Sequence, residues 1–341
     1  MPRIAIIGLG LIGGSLGLAL KRAGLKDLEI AGYDIDGGVA GRARRGGAID
    51  VNARRPEDAV AGAALVVVAT PILQVRRTFE EIAPALAEGS VVTDTASTKR
   101  DVIAWADELL PESVSFVGGH PVAGKETPGI DFADAALFEG RPWAIIPSLR
   151  AAERAISAVE NMAALLGARP VMMDAAEHDS YLAAVSHLPL LLSTALFSLA
   201  SQSKAWPELA SLAGPGFRDI TRLASTSPEL SHDIALTNRE NVVHWLDRFV
   251  EELRRFRALI EDGAQQEALF KAFATVQATR DAFLKELPSR PKAGEDVDVL
   301  TTGERMLAFL VGEHAVRRTK EIQEIIEKPG RDAEGPRREQ R

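Results

Sequence analysis

No cysteine occurs in the 341 residues, which excludes disulfides, thiolate zinc sites and thiol nucleophiles together. Positive charge is in deficit: 40 Lys and Arg against 48 Asp and Glu leave a net charge of −8. No continuous basic stripe crosses the folded part, so no nucleic-acid partner is expected. An uninterrupted apolar run of the ~20 residues a bilayer span needs is also missing, and no membrane association is expected. The opening MPRIAIIG enters an apolar run without an n-region, h-region and cleavage site, from which a cytoplasmic location is expected. The six histidines show no H-E-x-x-H or comparable ligand spacing, so no metal is expected. Aromatics are few, at 5%, while 46% apolar and 26% charged residues are ordinary for a globular protein. The length suffices for two domains, each with its own core.

What is present concentrates first in RIAIIGLGLIGG, Arg3 to Gly14. Ile4 to Ile7 read as a buried strand, Gly8, Gly10 and Gly13 follow in G-x-G-x-x-G spacing, and a helical run comes next, Ser15 to Ala23. In that context Gly8 permits a tight turn and Gly10 lets the backbone approach a pyrophosphate. Gly13 lets the helix pack close to the strand, while the helix N-terminus at Leu11, Ile12 and Gly13 faces the anion. A second strand, Leu28 to Tyr33, ends in Asp34, about twenty residues past the last glycine as a dinucleotide fingerprint requires. A carboxylate there accepts from a ribose 2′-OH and repels a 2′-phosphate, which favours NAD over NADP. Arg42, Arg44 and Arg45 could soften that preference, lie along the adenine side, or form a solvated face.

Further on, a helix over Gly37 to Gly47 precedes an all-apolar strand, Ala64 to Ala69, stopped by Thr70-Pro71. A helix pattern then runs to Leu86, a strand follows over Gly89 to Thr93, and a helix over Lys99 to Leu110. A fifth strand, Ser113 to Val117, ends at Gly118-Gly119-His120-Pro121. Strands at Trp143 to Pro147 and Arg169 to Met173 flank a helix from about Arg150 to Leu166. This alternation is the signature of an α/β fold with a doubly wound parallel sheet, expected over residues 1–174. From Ala176 the β pattern vanishes, and helices are expected over Glu177 to Ser201, Trp206 to Leu212, Pro228 to Glu261 and Ala264 to Leu287. Pro189 inside the first should kink it near Ser186 to Leu188. Residues 175–287 thus form an all-α domain, and residues 288–341 read as a linker, a helix from about Glu304 to Glu327 and a disordered tail.

Ligands of an open parallel sheet bind outside the carboxyl ends of its strands. The Gly8 loop, Thr70-Pro71, Ser97 and His120 all meet that condition. A hydride-transferring enzyme needs a group that holds the oxygen on the carbon losing hydride, and His120 is the candidate. The alternative is a loop histidine satisfied by backbone partners. Ser97 could orient His120 or simply belong to a strand-to-helix turn in which Thr98 and Asp101 form a capping box.

These residues and later ones resemble the prephenate dehydrogenase family, including arogenate and cyclohexadienyl dehydrogenases. GLGLIGGSLGLAL, GGHPVAGKE, LFEGR, HDxxxAAVSHLP and GPGFRDITRLA occur in the family's order over about Arg3 to Leu287. The resemblance implies a Rossmann domain, a helical domain that makes a homodimer, an active site between them, and NAD-dependent oxidative decarboxylation of prephenate to 4-hydroxyphenylpyruvate. It makes His120 the catalytic histidine on the substrate's ring hydroxyl, Ser97 its support and Arg222 the ligand of a substrate carboxylate. Glu126 becomes an acid near the site mouth, and His187, with Pro189, part of the SHLP signature. A histidine before a helix-kinking proline could instead satisfy freed carbonyls. Two departures stand out: Leu190 where many members carry a second histidine, and Lys125 where many carry Ser or Thr. Lys125 either reaches the substrate's side-chain carboxylate or is a solvated loop residue. The competing functions are arogenate or cyclohexadienyl oxidation, another dehydrogenase of Rossmann-plus-helical build, and an NAD-sensing binding module.

Overall fold

The computed structural model describes residues 1–25, 27–125 and 127–285. The expected linker, the helix near Glu304 to Glu327 and the tail fall outside them, as does Glu126. Two compact units divide the described chain, one of Met1–Ala175 and one from Ala176 onward.

The first unit runs β1 (Arg3–Ile7), α1 (Leu11–Arg22), β2 (Glu29–Tyr33), α2 (Gly37–Arg45), β3 (Val51–Asn52), α3 (Pro56–Val60), β4 (Leu65–Val68) and α4 (Ile72–Ile82). It continues with β5 (Val91–Asp94), α5 (Arg100–Leu109), β6 (Ser115–Pro121), β7 (Pro142–Pro147), α6 (Glu153–Leu165) and β8 (Arg169–Met172). The strands form one sheet in the order β3-β2-β1-β4-β5-β6-β7-β8, whose first six positions have the order of a doubly wound dinucleotide-binding fold. Every residue of β4 and β5 is buried, as expected of strands covered on both faces. The short β3 and α3 escaped the sequence reading: two strand residues and one helical turn carry no readable period.

The sheet is not parallel throughout. Strand β7 runs antiparallel to β6, pairing Gly118 with Ile146 and His120 with Ala144. Strand β6 therefore extends four residues past the expected end at Val117, and His120 lies within it rather than after it. A strand ending at Gly-Gly-His-Pro is what the local sequence suggests. The ladder from β7, far along the chain, keeps that segment extended.

The second unit is helical: α7 (Ala175–Leu182), a wide π turn over Ala183–His187, α8 (Leu188–Ser201), α9 (Trp206–Ser211), α10 (Pro215–Ile220), a 3₁₀ turn over Arg222–Ser225, α11 (Pro228–Thr237), α12 (Arg239–Glu261) and α13 (Gln266–Lys285). The expected kink takes the form of the π turn. Pro189, in the first turn of α8, has no N–H to donate, and Leu188 N–H bonds the carbonyl of Ala183 instead. The single helix expected from Pro228 to Glu261 is two helices broken at Asn238, whose side chain is committed elsewhere. The helical stretch Ala175–Ser201, although interrupted by polar and charged residues, is long and apolar enough by length and composition to cross a membrane. That test also passes helices of globular proteins, and this stretch carries fully buried His178 and Asp179.

Gly17, mid-helix in α1, gives a test of packing against propensity. Alanine there would gain about 1 kcal/mol of helix propensity, but its Cβ would overlap the Ala48 carbonyl. Overpacking of this kind costs about 1–3 kcal/mol, so Gly17→Ala is expected to lower the denaturant midpoint; a raised midpoint would show that the Ala48 segment yields freely.

Candidate active site

The cradle after β1 is built from glycines whose necessity is steric. Gly8 has φ +91°, a left-handed conformation that side chains disfavour, and a Cβ on it would come 2.5 Å from the Ala69 carbonyl oxygen. A Cβ on Gly13 would overlap the Gly8 carbonyl. Nothing lies within 4 Å of where a Cβ of Gly10 would be, so that glycine borders open space. Helix α1 begins with no side-chain cap at Gly10 and no acidic residue in its first turn. The N–H groups of Leu11, Ile12 and Gly13 thus lack intrahelical acceptors at the positive end of the helix, where an anion is favoured.

Asp34 follows β2 and ties it to the cradle. Its Oδ2 accepts from Leu9 N–H at 2.8 Å and its Oδ1 from Asp36 N–H at 2.9 Å. Each carboxylate oxygen has a further lone pair, so hydroxyls can still be accepted. Arg42 is ion-paired to Asp131 at 3.3 Å, which occupies one of the three cations able to attract a 2′-phosphate. Ile35, next to Asp34, is 87% exposed, an apolar side chain the sequence reading passed over. Across the β1–β4 boundary, Thr70 has a buried hydroxyl without a hydrogen-bond partner among the described residues, and exposed Pro71 leads into α4.

At the next strand ends, Ser97 is half-buried in the segment between β5 and α5, and His120 is buried in β6. Lys99 holds the N-cap position of α5, so the helix starts two residues beyond Thr98. Two residues missed by sequence reasoning underlie this corner. Asp94 and Lys99 form a fully buried ion pair. Asp94 also accepts from Ala96 N–H at 2.8 Å and Gly119 N–H at 3.1 Å, while Lys99 Nζ donates to Gly119 O at 2.9 Å. A signal for Asp94 was present: it ends an apolar strand as Asp34 does.

Lys125 Nζ donates to the Phe132 carbonyl at 3.2 Å and to Asp134 at 3.1 Å. The Ala136 N–H and then Lys125 hold the Asp134 carboxyl below the usual carboxylate range. Of the two readings of Lys125, these partners fit the loop residue.

Within the helical unit, His187 is buried in the π turn, and its Nδ1 lies 3.1 Å from Asn238 Nδ2. The same amide donates to the Asp179 carbonyl at 2.7 Å, and Asn238 Oδ1 accepts from Asn241 at 2.8 Å. That carbonyl fixes the amide orientation, so His187 Nδ1 accepts and its proton resides on Nε2 when the ring is neutral. Asn238, at the break between α11 and α12, thus sets the histidine. Arg222 is exposed at the start of the 3₁₀ turn. Ala224 N–H in that turn donates to the buried Ser193 hydroxyl of α8 at 3.0 Å. Leu190, where a second histidine could stand, is buried and apolar.

A 3-2-1-4-5-6 sheet with a glycine cradle after its β1, an acid at the end of β2 and a histidine near the carboxyl end of β6 defines a nucleotide-binding α/β dehydrogenase. Two family profiles match: prephenate dehydrogenase, nucleotide-binding domain, over residues 16–172, and prephenate dehydrogenase, dimerization domain, over residues 174–275. The chain belongs to the prephenate dehydrogenase family. It is 35% identical to a prephenate dehydrogenase of Bacillus subtilis over 85% of this chain and 77% of that one. It is 34% identical to a cyclohexadienyl dehydrogenase of Zymomonas mobilis, over 84% and 98%. The crystal structure of prephenate dehydrogenase from A. aeolicus in complex with hydroxyphenyl propionate and NAD+ superposes with a TM-score of 0.77 at 30% identity, covering 83% of this chain and 98% of that one.

Asn238→Leu would strip hydrogen bonds from the Asp179 carbonyl and His187 at once. Each buried polar group so exposed costs about 1–3 kcal/mol, so a clear loss of stability is expected in denaturant unfolding, and an unchanged midpoint would show that water replaces the amide.

Proposed function

We propose that the chain catalyses NAD-dependent oxidative decarboxylation of prephenate to 4-hydroxyphenylpyruvate. The observation that carries this reading is the convergence, at one edge of the sheet, of an anion-ready helix N-terminus, a strand-end carboxylate and a buried histidine. The NAD assignment is supported by open space at Gly10, the uncapped start of α1 and the Thr70 hydroxyl, which has no hydrogen-bond partner among the described residues. Leu11, Ile12 and Gly13 would bind the pyrophosphate through N–H groups, Asp34 the adenosine ribose, and exposed Ile35 would cover an adenine face. Bound there, NAD supplies the hydride acceptor.

The reaction asks little bond-making of the protein. Prephenate loses its ring carboxylate as CO₂, the electrons of that C–C bond aromatise the ring, and hydride leaves the carbinol carbon. His120 accepts the hydrogen bond of the ring hydroxyl and raises electron density on the carbon that loses hydride. Ser97 holds the histidine or the same oxygen, and Arg222 binds a substrate carboxylate through its planar fork. Lys125 would have to leave Asp134 to reach a substrate, so we give it no part. Arogenate differs from prephenate only in carrying an amino group in place of the side-chain keto group, and the cyclohexadienyl relative keeps that substrate as the second reading. Comparing kcat/KM for the two decides between them.

A homodimer formed by the helical unit belongs to the same reading. It is supported by the dimerization profile and by the exposed apolar side chains of Val185, Leu199, Val243, Leu253 and Phe273.

Purified protein given prephenate and NAD should generate NADH. His120→Asn should lower kcat about 10²-fold or more with little change in NAD affinity; near-normal turnover would remove His120 from the chemistry. Asp34→Ser should weaken NAD and improve NADP by removing charge repulsion, and wild-type enzyme that uses both equally would contradict the role of Asp34. Light scattering should give the mass of a dimer; a monomer throughout the working concentration range would overturn the association.

A further inference from the structure

Taking two charges fully out of water carries a desolvation cost that their attraction often fails to recover, and apolar residues of similar volume are commonly as stable or more so. The Asp94–Lys99 pair, with both side chains at 0% exposure, therefore calls for a role other than stability. Its hydrogen bonds indicate which. Strands β5 and β6 pair only as far as Thr93 with Val117, and beyond that point β6 outruns its neighbour toward His120. There the ion pair takes over from the ladder. Asp94 accepts the N–H of Gly119 and Lys99 donates to the carbonyl of the same residue. The second oxygen of Asp94 accepts the N–H of Ala96. The residues so held are the immediate predecessors of His120 and of Ser97. Gly119 is required for the approach, since a Cβ would stand 2.5 Å from the Asp94 carbonyl oxygen and 3.0 Å from Trp143 Nε1.

We propose that Asp94 and Lys99 are a positioning pair, a buried clamp that sets the spacing of Ser97 and His120 by holding the backbone just before each. This inference rests on the assignment of His120 and Ser97 above. Neither Asp94 nor Lys99 exchanges a proton with substrate; they act through the two residues they align. Misplacement of a reacting group by about 1 Å can cost on the order of 10²-fold in rate, so a clamp at this position would be read in turnover before binding.

The test uses the full-length enzyme, first in wild-type form with prephenate and NAD. Absence of activity there overturns the functional reading itself, before any variant is made. Lys99→Met leaves a buried unpaired carboxylate, and that variant alone could fail to fold. The informative variant is Asp94→Asn/Lys99→Met, which buries no net charge. With a native melting temperature and unchanged NAD affinity by calorimetry, it is expected to lose at least about tenfold in kcat with a smaller change in KM for prephenate. The limb of its kcat/KM pH profile assigned to His120 should also be displaced. Wild-type kcat and an unmoved pH profile in that folded double variant overturn the proposal. So does failure of the double variant to fold, because the pair would then be a requirement of folding rather than of alignment.

Discussion

The close approach of three backbone segments at the β1–β4 boundary is the constraint on which the nucleotide half of this protein depends. Gly8 must adopt a positive φ, pass the Ala69 carbonyl without a Cβ, and leave its own carbonyl free of any side chain from Gly13. Only when all three conditions hold can α1 begin close enough to β1 to aim its free N–H groups into the crevice at the switch point. Asp34 extends the constraint sideways, because its bonds to Leu9 and Asp36 lock the end of β2 to the same loop. The shape of the cradle is thus set by the chain's own contacts, which limits the ordering cost of binding.

The other half of the site depends on a reversal of direction. Up to β6 the sheet follows the parallel rule, and ligands would lie beyond its strand ends. Antiparallel β7 carries β6 four residues further and converts a terminal Gly-Gly-His-Pro loop into buried strand. A histidine on a strand, covered by neighbours, has fewer rotamers than one on a loop. The same extension creates the need for Asp94 and Lys99, since the backbone of Gly119 has no β5 partner at that level.

Proline and asparagine organise the helical unit by what they withhold and supply. Pro189 withholds an N–H, and the helix widens around the gap instead of breaking. Asn238 supplies an amide that binds both the Asp179 carbonyl and His187, so a break between two helices doubles as a support for a histidine far away in the sequence. The apolar stretch Ala175–Ser201 is consistent with the same economy: it covers little of itself within its unit, and the family's dimerization profile spans it.

By itself the sequence determined the strand–glycine–helix–strand–acid order from Ile4 to Asp34, the alternation that makes a doubly wound sheet, and the change to helices near Ala176. These are local signals: period, glycine spacing and the residue that ends a strand are legible within a short window. The family motifs nominated His120, Ser97, Arg222 and His187 as site residues from equally local signals. Tertiary structure alone decided the direction of β7, the extension of β6 through His120, the break at Asn238 and the ion pair of Asp94 with Lys99. Each of these depends on hydrogen-bonding groups contributed by residues remote in the chain, and a buried carboxylate or amide reads in sequence like any surface polar residue until its partners close around it. Lys125 makes the same point from the other side, because its chemistry suited a substrate contact and only the folded loop brought it to Asp134.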